Sequence, residues 1–146
     1  PICKMCVIKV LVILPLFFVV VSLLEYNIRD EYVNDWRILG NINRDKCIQE
    51  SNIDPEKIEA MYSNNEIADD PNIKCYFKCQ YVNLGFYNVE EKKFVPETIM
   101  EKAKGISNEN VQECFSNSSS EDQDDCERIY KAAVCSVLYF MKENNL

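Results

Sequence analysis

Six cysteines in the polar part of the chain constrain its fold more than any other feature. The chain contains no histidine that could complete a mixed zinc site with them. An even number of cysteines in a small extracellular domain predicts a disulfide framework. The sequence therefore predicts three disulfides, no bound metal and no other cofactor. The six residues are Cys47, Cys75, Cys79, Cys114, Cys126 and Cys135.

The N-terminal segment, residues 1–22, has the layout of a secretory signal peptide. Lys4 and Lys9 precede the apolar run VLVILPLFFVVV, and the polar stretch EYNIRDEY comes after it. The run is short for a membrane span, so a retained membrane anchor is the weaker interpretation. We expect cleavage after Ser22, which leaves residues 23–146 as one secreted, extracellular domain.

The charge of the chain limits its partners. Acidic residues outnumber basic ones by 24 to 16, and the predicted signal peptide carries two lysines and no acidic residue. The secreted part is therefore even more negative than the whole chain. A strongly negative surface repels phosphate backbones, so we expect no nucleic acid partner, and the charge favours solubility in an extracellular fluid.

The rest of the pattern is helical. Segments open with Asp or Ser, or with Pro at the first helical position, as short helices do. The segment from Asp70 is predicted to end at Gly85, and the segment from Pro96 at Gly105. Apolar residues then recur at helical spacing, and no segment shows a convincing strand pattern. We therefore predict an all-α fold of about six helices. The predicted helices begin at or beside Asp30, Asp54, Asp70, Pro96, Ser107 and Asp124.

The stretch SNSSSEDQDD between the last two predicted helices has no apolar residue and is predicted to be an exposed loop. It contains the sequon Asn-Ser-Ser, which makes Asn117 a candidate glycosylation site in a secreted chain. The alternative is that the loop is only a solvated acidic cap, because negative side chains suit the positive end of the following helix.

Helix geometry removes some of the possible cysteine pairings. Cys75 and Cys79 are four residues apart, so their side chains project from one face and cannot easily bond to each other. Cys126 and Cys135 are nine residues apart, which is too far along one helix for a bond. Every pairing that remains cross-links different helices, and several pairings remain.

The spacing of the cysteines resembles that of the insect odorant-binding proteins, which include pheromone-binding proteins. Three residues separate Cys75 from Cys79 and eight separate Cys126 from Cys135, and these are the diagnostic gaps. The stretches KCYFKC and CERIYKAAVC look like the family's sequences around those cysteines. The resemblance implies helices around an apolar cavity, cross-linked by the disulfides Cys47–Cys79, Cys75–Cys126 and Cys114–Cys135.

The resemblance also implies a function. We expect an extracellular carrier that binds an odorant, a pheromone or a lipid-like molecule in the cavity, moves it through aqueous fluid and delivers it near a membrane receptor. Tyr81, Tyr130 and Tyr139 are candidates to offer a hydroxyl to the polar end of the ligand. The alternative for these tyrosines is that the hydroxyl simply reaches solvent. For each apolar candidate, ordinary core packing is an alternative of at least equal weight. The candidates for apolar ligand contact are Trp36, Phe77, Leu84, Ile99, Met100, Val111, Phe115, Ala133, Val137 and Phe140.

The absence of histidine also bears on activity. It removes Ser-His and Cys-His nucleophile pairs, and no motif singles out a catalytic pair of acids, so we expect no enzymatic activity. It also removes a histidine pH switch, so we expect any release by acid to rest on carboxylates with raised pKa.

Two other interpretations remain open. One is a secreted, disulfide-linked helical protein with a filled core that acts through protein or membrane interaction. The other is a saposin-like membrane-active protein, although the usual C-x2-C pair of that class is absent. The sequence also leaves a homodimer open.

Overall fold

The computed structural model describes most of the chain after the predicted signal peptide. The predicted signal peptide, residues 1–22, and the Asn117 sequon lie outside the described residues. No helix in the described part is both long enough and apolar enough to cross a bilayer. The described ranges are 23–25, 30–64, 66–116 and 124–144.

The described residues form seven α-helices and little strand, which confirms the predicted all-α class. A π-helix, Gln112–Ser116, directly continues α6 and carries Cys114 and Phe115. The helices are α1 (Asp30–Asn41), α2 (Arg44–Ser51), α3 (Pro55–Ser63), α4 (Pro71–Leu84), α5 (Pro96–Lys102), α6 (Asn108–Val111) and α7 (Asp125–Glu143).

Two short antiparallel strand pairs accompany these helices. Strand β1 (Leu23–Glu25) pairs with β2 (Glu66–Ala68), with Leu24 opposite Ile67. Strand β3 (Tyr87–Asn88) pairs with β4 (Lys93–Phe94), with Tyr87 opposite Phe94. The sequence does not predict these pairs, because two or three residues are too few to show the alternation of a strand.

The predicted caps hold the starts of four helices. The Asp54, Asp70 and Asp124 carboxylates accept backbone N–H bonds in the first turns of α3, α4 and α7. The Ser107 hydroxyl accepts from the backbone N–H of Asn110 in α6, at 3.0 Å. Each such cap typically stabilises a helix by about 1 kcal/mol. These caps explain why the sequence locates these helix starts correctly.

The sequence misses α2, the helix that carries Cys47. Its segment RDKCIQES contains only two apolar residues, Cys47 and Ile48, so it lacks an amphipathic period. Cys47 is nevertheless fully buried and bonded to Cys79 on α4. Because α2 is fixed mainly by the burial and the disulfide of Cys47, its sequence shows no hydrophobic periodicity from which the helix could be predicted.

Helix α5 is shorter than the sequence predicts. It ends at Lys102 instead of reaching Gly105. The backbone carbonyl of Lys104 accepts a hydrogen bond from the Trp36 indole at 3.0 Å, so it serves a tertiary contact with α1. Gly105 follows with a φ of 84°, a conformation that favours glycine, and its Cα lies against the rings of Tyr32 and Phe140.

Three disulfides cross-link the helices, and their pairing is the one that the resemblance implies. Cys47–Cys79 joins α2 to α4, and Cys75–Cys126 joins α4 to α7. Cys114–Cys135 joins the π-helix to α7. Helices α4 and α7 therefore carry two cross-links each and pack together at the centre of the fold. Within the described ranges, no group of side chains could hold a metal ion.

The buried side chains form two hydrophobic clusters. The first lies among α1 to α4 and includes Ile58, Ile73 and Tyr76. The second lies around α5, α6 and the π-helix and includes Ile99 and Phe115. Helices α4 and α7 contribute to both clusters, so the two clusters meet along these central helices.

Candidate ligand-binding cavity

A cavity of about 130 Å³ lies where the two clusters meet. Met61 and Ile67 of the first cluster line one part of it, and Phe86 and Ile99 of the second cluster line another. Helices α1, α3, α4, α5 and α7, strand β2 and the π-helix all contribute lining residues. The cavity is therefore lined by side chains that are far apart in the sequence.

Helix α4 supplies the largest share of the wall. Its lining residues recur at one- and three-residue steps, which places them on one face of the helix. The disulfide cysteines Cys75 and Cys79 lie on a neighbouring stripe. One side of α4 thus holds the cross-links while another faces the cavity. The lining residues of α4 are Tyr76, Phe77, Gln80, Tyr81 and Leu84.

Aromatic rings form a continuous patch around Tyr81. Its ring centroid lies 5.4 Å from that of Phe86 and 6.3 Å from those of Phe94 and Phe115. Phe77 adds a further ring at 6.4 Å. Such pairs stabilise a wall beyond simple area burial, by about 0.5–1.5 kcal/mol each. This side of the cavity is therefore both apolar and rigid.

The amide of Gln80, whose residue is 5% exposed, is a buried polar group of the cavity wall. Its Nε2 donates to the backbone carbonyl of Gly40 at 2.8 Å and to the Tyr76 hydroxyl at 3.0 Å. Its Oε1 has no hydrogen-bond partner in the described part of the chain. An apolar cavity thus contains one buried acceptor whose bonding capacity is unused.

The Tyr81 hydroxyl is another polar group of this wall. It makes no hydrogen bond to any described residue, and its neighbours are aromatic rings. Burial alone raises the pKa of this hydroxyl well above its usual range. The hydroxyl is therefore neutral and available as a donor.

Seven of the ten predicted apolar contact residues line the cavity. This placement leaves their contact with a ligand a prediction, because packing against a cavity and binding in it are separate properties. The seven are Trp36, Phe77, Leu84, Ile99, Phe115, Ala133 and Val137.

The other three predicted residues lie elsewhere. Met100 is 36% exposed, on the outer side of α5. Val111 is buried in the second cluster and does not reach the cavity. Phe140 packs its ring against Tyr32 and Trp36, at 4.9 and 5.3 Å between centroids, and so lies behind the cavity wall. Periodicity finds the apolar face of a helix but does not separate its core part from its cavity part.

Of the three tyrosines predicted to offer a hydroxyl, Tyr81 lines the cavity. The Tyr130 hydroxyl instead donates to the backbone carbonyl of Ala68 at 3.2 Å. Tyr139 packs against the second cluster and is not among the lining residues. Only Tyr81 of these three is therefore placed to meet a ligand.

The sequence analysis misses several lining residues. Met61 and Tyr62 share the apolar face of α3, so a periodic signal for them exists. Phe86 follows Gly85, where an apolar residue commonly packs back on the helix it leaves, and its N–H donates to the Tyr81 carbonyl at 2.8 Å. Leu39 follows Trp36 by three residues on α1, so it also has a periodic signal. The missed residues are Leu39, Gly40, Met61, Tyr62, Ile67, Tyr76, Gln80, Phe86, Ala103, Ile106 and Ser136.

Charged groups lie away from the cavity wall. The pKa of Asp70 is lowered by its hydrogen bond with Lys57, and the pKa of Glu127 is lowered by its hydrogen bond with Lys74. Both shifts are opposite in direction to the raised carboxylate pKa that the sequence analysis expects. Within the described part of the chain, no carboxylate lines the cavity. The expectation of a carboxylate switch therefore finds no support here.

The fold and the cavity define a disulfide-linked, all-α protein with a largely apolar cavity. The family model that matches the chain describes the PBP/GOBP family and covers residues 37–138, which is more than half of the chain. The chain therefore belongs to the PBP/GOBP family, which confirms the resemblance stated above. This family is a binding and transport family for small ligands. No curated protein and no solved structure matches the chain.

Proposed function

We propose that the chain is an extracellular carrier that binds a small hydrophobic molecule in the cavity between its two clusters and moves it through aqueous fluid. The observation that carries the proposal is an apolar cavity built from both clusters. Family membership supports binding and transport of a small ligand. Secretion is supported by the three disulfides, because such bonds persist mainly in oxidising compartments. Delivery near a membrane receptor is part of the proposal.

The size of the cavity indicates the size of the ligand. At about 130 Å³ it is close to a protein cavity of about 150 Å³ that stays dry and binds benzene. Drug-sized ligands need pockets of about 300–1,000 Å³. We therefore propose a small volatile molecule, of the size of a short-chain alcohol or aldehyde, as the ligand.

The disulfides explain how a hollow protein of this size stays folded. A void costs about 24 cal/mol per Å³, so a cavity of this volume costs on the order of 3 kcal/mol. One disulfide typically contributes about 2–4 kcal/mol. A single cross-link therefore offsets the cavity, and the chain has three. The cavity favours the carrier over the alternative of a filled core.

The test is a titration of the secreted, oxidised chain with an uncharged apolar fluorescent probe, followed by displacement with hexanol. Ala133→Leu places extra atoms in the cavity, because Ala133 is buried and lines it. The matched control is Leu138→Ala, since Leu138 is 45% exposed on the same helix. We expect one-to-one binding that Ala133→Leu weakens by about tenfold or more and Leu138→Ala leaves unchanged.

The opposite result is equally clear. Protein with all three disulfides formed that takes up no probe and no hexanol would overturn the carrier function. Binding that is equally strong in wild type and Ala133→Leu would show that the probe occupies some other surface.

A further inference from the structure

We infer that the cavity selects a ligand with one hydroxyl group, through the Gln80 amide oxygen and the Tyr81 hydroxyl. This inference rests on the proposed function and names the ligand class that this cavity takes. It concerns a primary alcohol as opposed to an aldehyde, a hydrocarbon or a carboxylate of the same chain length. Each of the two protein groups lacks a partner and lines the cavity.

The orientation of the Gln80 amide is determined by its neighbours. The Gly40 carbonyl can only accept, so the group that faces it at 2.8 Å must be the NH₂ group. The second hydrogen of that group goes to the Tyr76 hydroxyl at 3.0 Å. Both donors of Gln80 are thereby used, and its oxygen is left as an acceptor without a donor.

A buried acceptor without a donor is costly. Leaving such a group unsatisfied typically costs about 1–3 kcal/mol, and a bound molecule that supplies a donor recovers that cost. The wall does not supply it: the hydroxyls of Tyr62, Tyr76 and Ser136 make no hydrogen bond to this oxygen, and most other lining side chains are apolar. A ligand with a donor can therefore satisfy Gln80.

Tyr81, the next residue of α4, offers the complementary group. Its ring lies beside the rings of Phe77, Phe86, Phe94 and Phe115, none of which has a lone-pair oxygen. The Tyr81 hydroxyl can donate to an oxygen of the ligand at no cost in other bonds. A hydrocarbon leaves this donor unsatisfied, as the empty cavity does.

A hydroxyl group is the smallest neutral group that both donates and accepts. It can satisfy the Gln80 oxygen and accept from Tyr81, whereas an aldehyde can only accept. A carboxylate would bury its charge without a cation, because no lysine or arginine is among the lining residues in the described ranges. Sites that bond a ligand hydroxyl discriminate strongly against analogues that lack it.

The experiment compares hexanol, hexanal, hexane and hexanoate as competitors of the probe. In wild type we expect hexanol to bind about tenfold more tightly than hexanal, since one additional buried hydrogen bond is formed. Gln80→Met removes the acceptor, so the affinity for hexanol should fall to the affinity for hexanal. Tyr81→Phe weakens hexanol and hexanal by similar factors and leaves hexane unchanged. Tyr139→Phe removes a tyrosine hydroxyl outside the cavity and should change no affinity.

The inference is overturned if hexanol, hexanal and hexane bind equally to wild type. It is also overturned if the Gln80→Met variant still prefers hexanol to hexanal. If Gln80→Met fails to fold because the Gly40 carbonyl loses its donor, Tyr81→Phe alone decides the matter. A preference of hexanal over hexane that persists in Tyr81→Phe then overturns it. Failure of all ligands to bind sinks the proposed function as well, whereas equal binding of all three sinks only this inference.

Discussion

Gly40 of α1 lies directly against the hydroxyl of Tyr62 of α3, and both residues line the cavity. A Cβ atom at Gly40 would collide with that hydroxyl. The Gly40 carbonyl also accepts the hydrogen bond from Gln80 at 2.8 Å. The absence of a side chain at this position therefore permits the close approach of α1 to α3 and to α4 around the cavity.

We predict that Gly40→Ala weakens ligand binding by about tenfold. The new methyl group has to displace the Tyr62 ring, and Tyr62 is part of the cavity wall. Overpacking costs about 1–3 kcal/mol, while alanine gains about 1 kcal/mol of helix propensity over glycine, so we expect a net loss of stability of about 0–2 kcal/mol. Probe titration and urea denaturation measure the two effects separately.

Gly85→Ala is the control for that prediction. Gly85 ends α4 with a φ of 76°, so alanine there is strained by about 1–2 kcal/mol. Its Cβ would meet only a methyl group of Thr98 at 3.8 Å, which is ordinary contact. This variant should lose stability and keep its affinity. A Gly40→Ala protein with the affinity of wild type would contradict the role assigned to Gly40.

The cavity volume predicts a preference for short ligands. With about 130 Å³ available, hexanol should displace the probe at least about tenfold better than hexadecanol. Leu84→Ala removes a buried lining side chain, so it should shift the preference toward longer alcohols at a cost of about 2–5 kcal/mol of stability. Competition assays with an alcohol series provide the measurement. Hexadecanol that binds wild type as well as hexanol would refute the size limit.

The disulfides should contribute unequally to stability. Cys75–Cys126 spans 51 residues of sequence and Cys114–Cys135 spans 21. In the chain-entropy description the longer closure stabilises by about 4 kcal/mol and the shorter by about 3 kcal/mol. Replacing each pair by alanines and comparing the free energies of unfolding in urea tests this order. The reverse order would mean that native packing around Cys114 and Cys135 outweighs the entropy of the unfolded chain.

The two lowered carboxyl pKa values predict the response of stability to acid. Asp70 lies 2.6 Å from the Lys57 ammonium and Glu127 lies 2.7 Å from that of Lys74. A lowered folded-state pKa contributes stability above the unfolded value, here 3.8 for Asp70 and 4.5 for Glu127, that is lost as the pH falls. We expect the free energy of unfolding to change little from about pH 7 to about pH 5 and to fall below about pH 4.

Ligand affinity should follow a different course over the same range. Since no carboxylate is among the described lining residues, probe binding should be constant from about pH 7 to about pH 5. Titrations at both pH values, with the Glu127→Gln variant as the control, separate the pH dependence of affinity from that of stability. The variant should lose part of the acid dependence of its free energy of unfolding and keep its affinity for the probe. A marked loss of affinity at about pH 5 would point to a titrating group outside the cavity wall.

Local chemistry made much of the fold predictable. Asp54, Asp70, Ser107 and Asp124 locate four helix starts because a side-chain oxygen satisfies nearby backbone N–H groups. Gly85 locates one helix end for the matching reason. These signals act within a few residues, so they can be recognised without the rest of the chain. Helix α2 has no capping side chain at its start, and its one local signal is Asn52, which ends it with a φ of 52°. The disulfide between Cys47 and Cys79 ties α2 to α4.

The cavity was less predictable than the helices around it. Phe140 and Phe77 both lie on apolar helical faces, yet only Phe77 lines the cavity, because Phe140 is covered by Tyr32 and Trp36. Ile67 and Ile106 line it from a two-stranded ladder and a connecting segment, where the sequence has no periodic pattern. A residue lines the cavity only if the elements packed around it leave space beside its side chain. The sequence of a single segment does not contain that information.

The sequence by itself determined the all-α class, most of the helix boundaries and the family, because caps, helical periodicity and cysteine spacing are properties of residues close together in the chain. Only the tertiary structure decided which apolar residues face a void, and that Gln80 and Tyr81 have polar groups without partners there. Those properties depend on how α1, α3, α4 and α7 pack against one another, and packing is set by contacts between residues far apart in sequence.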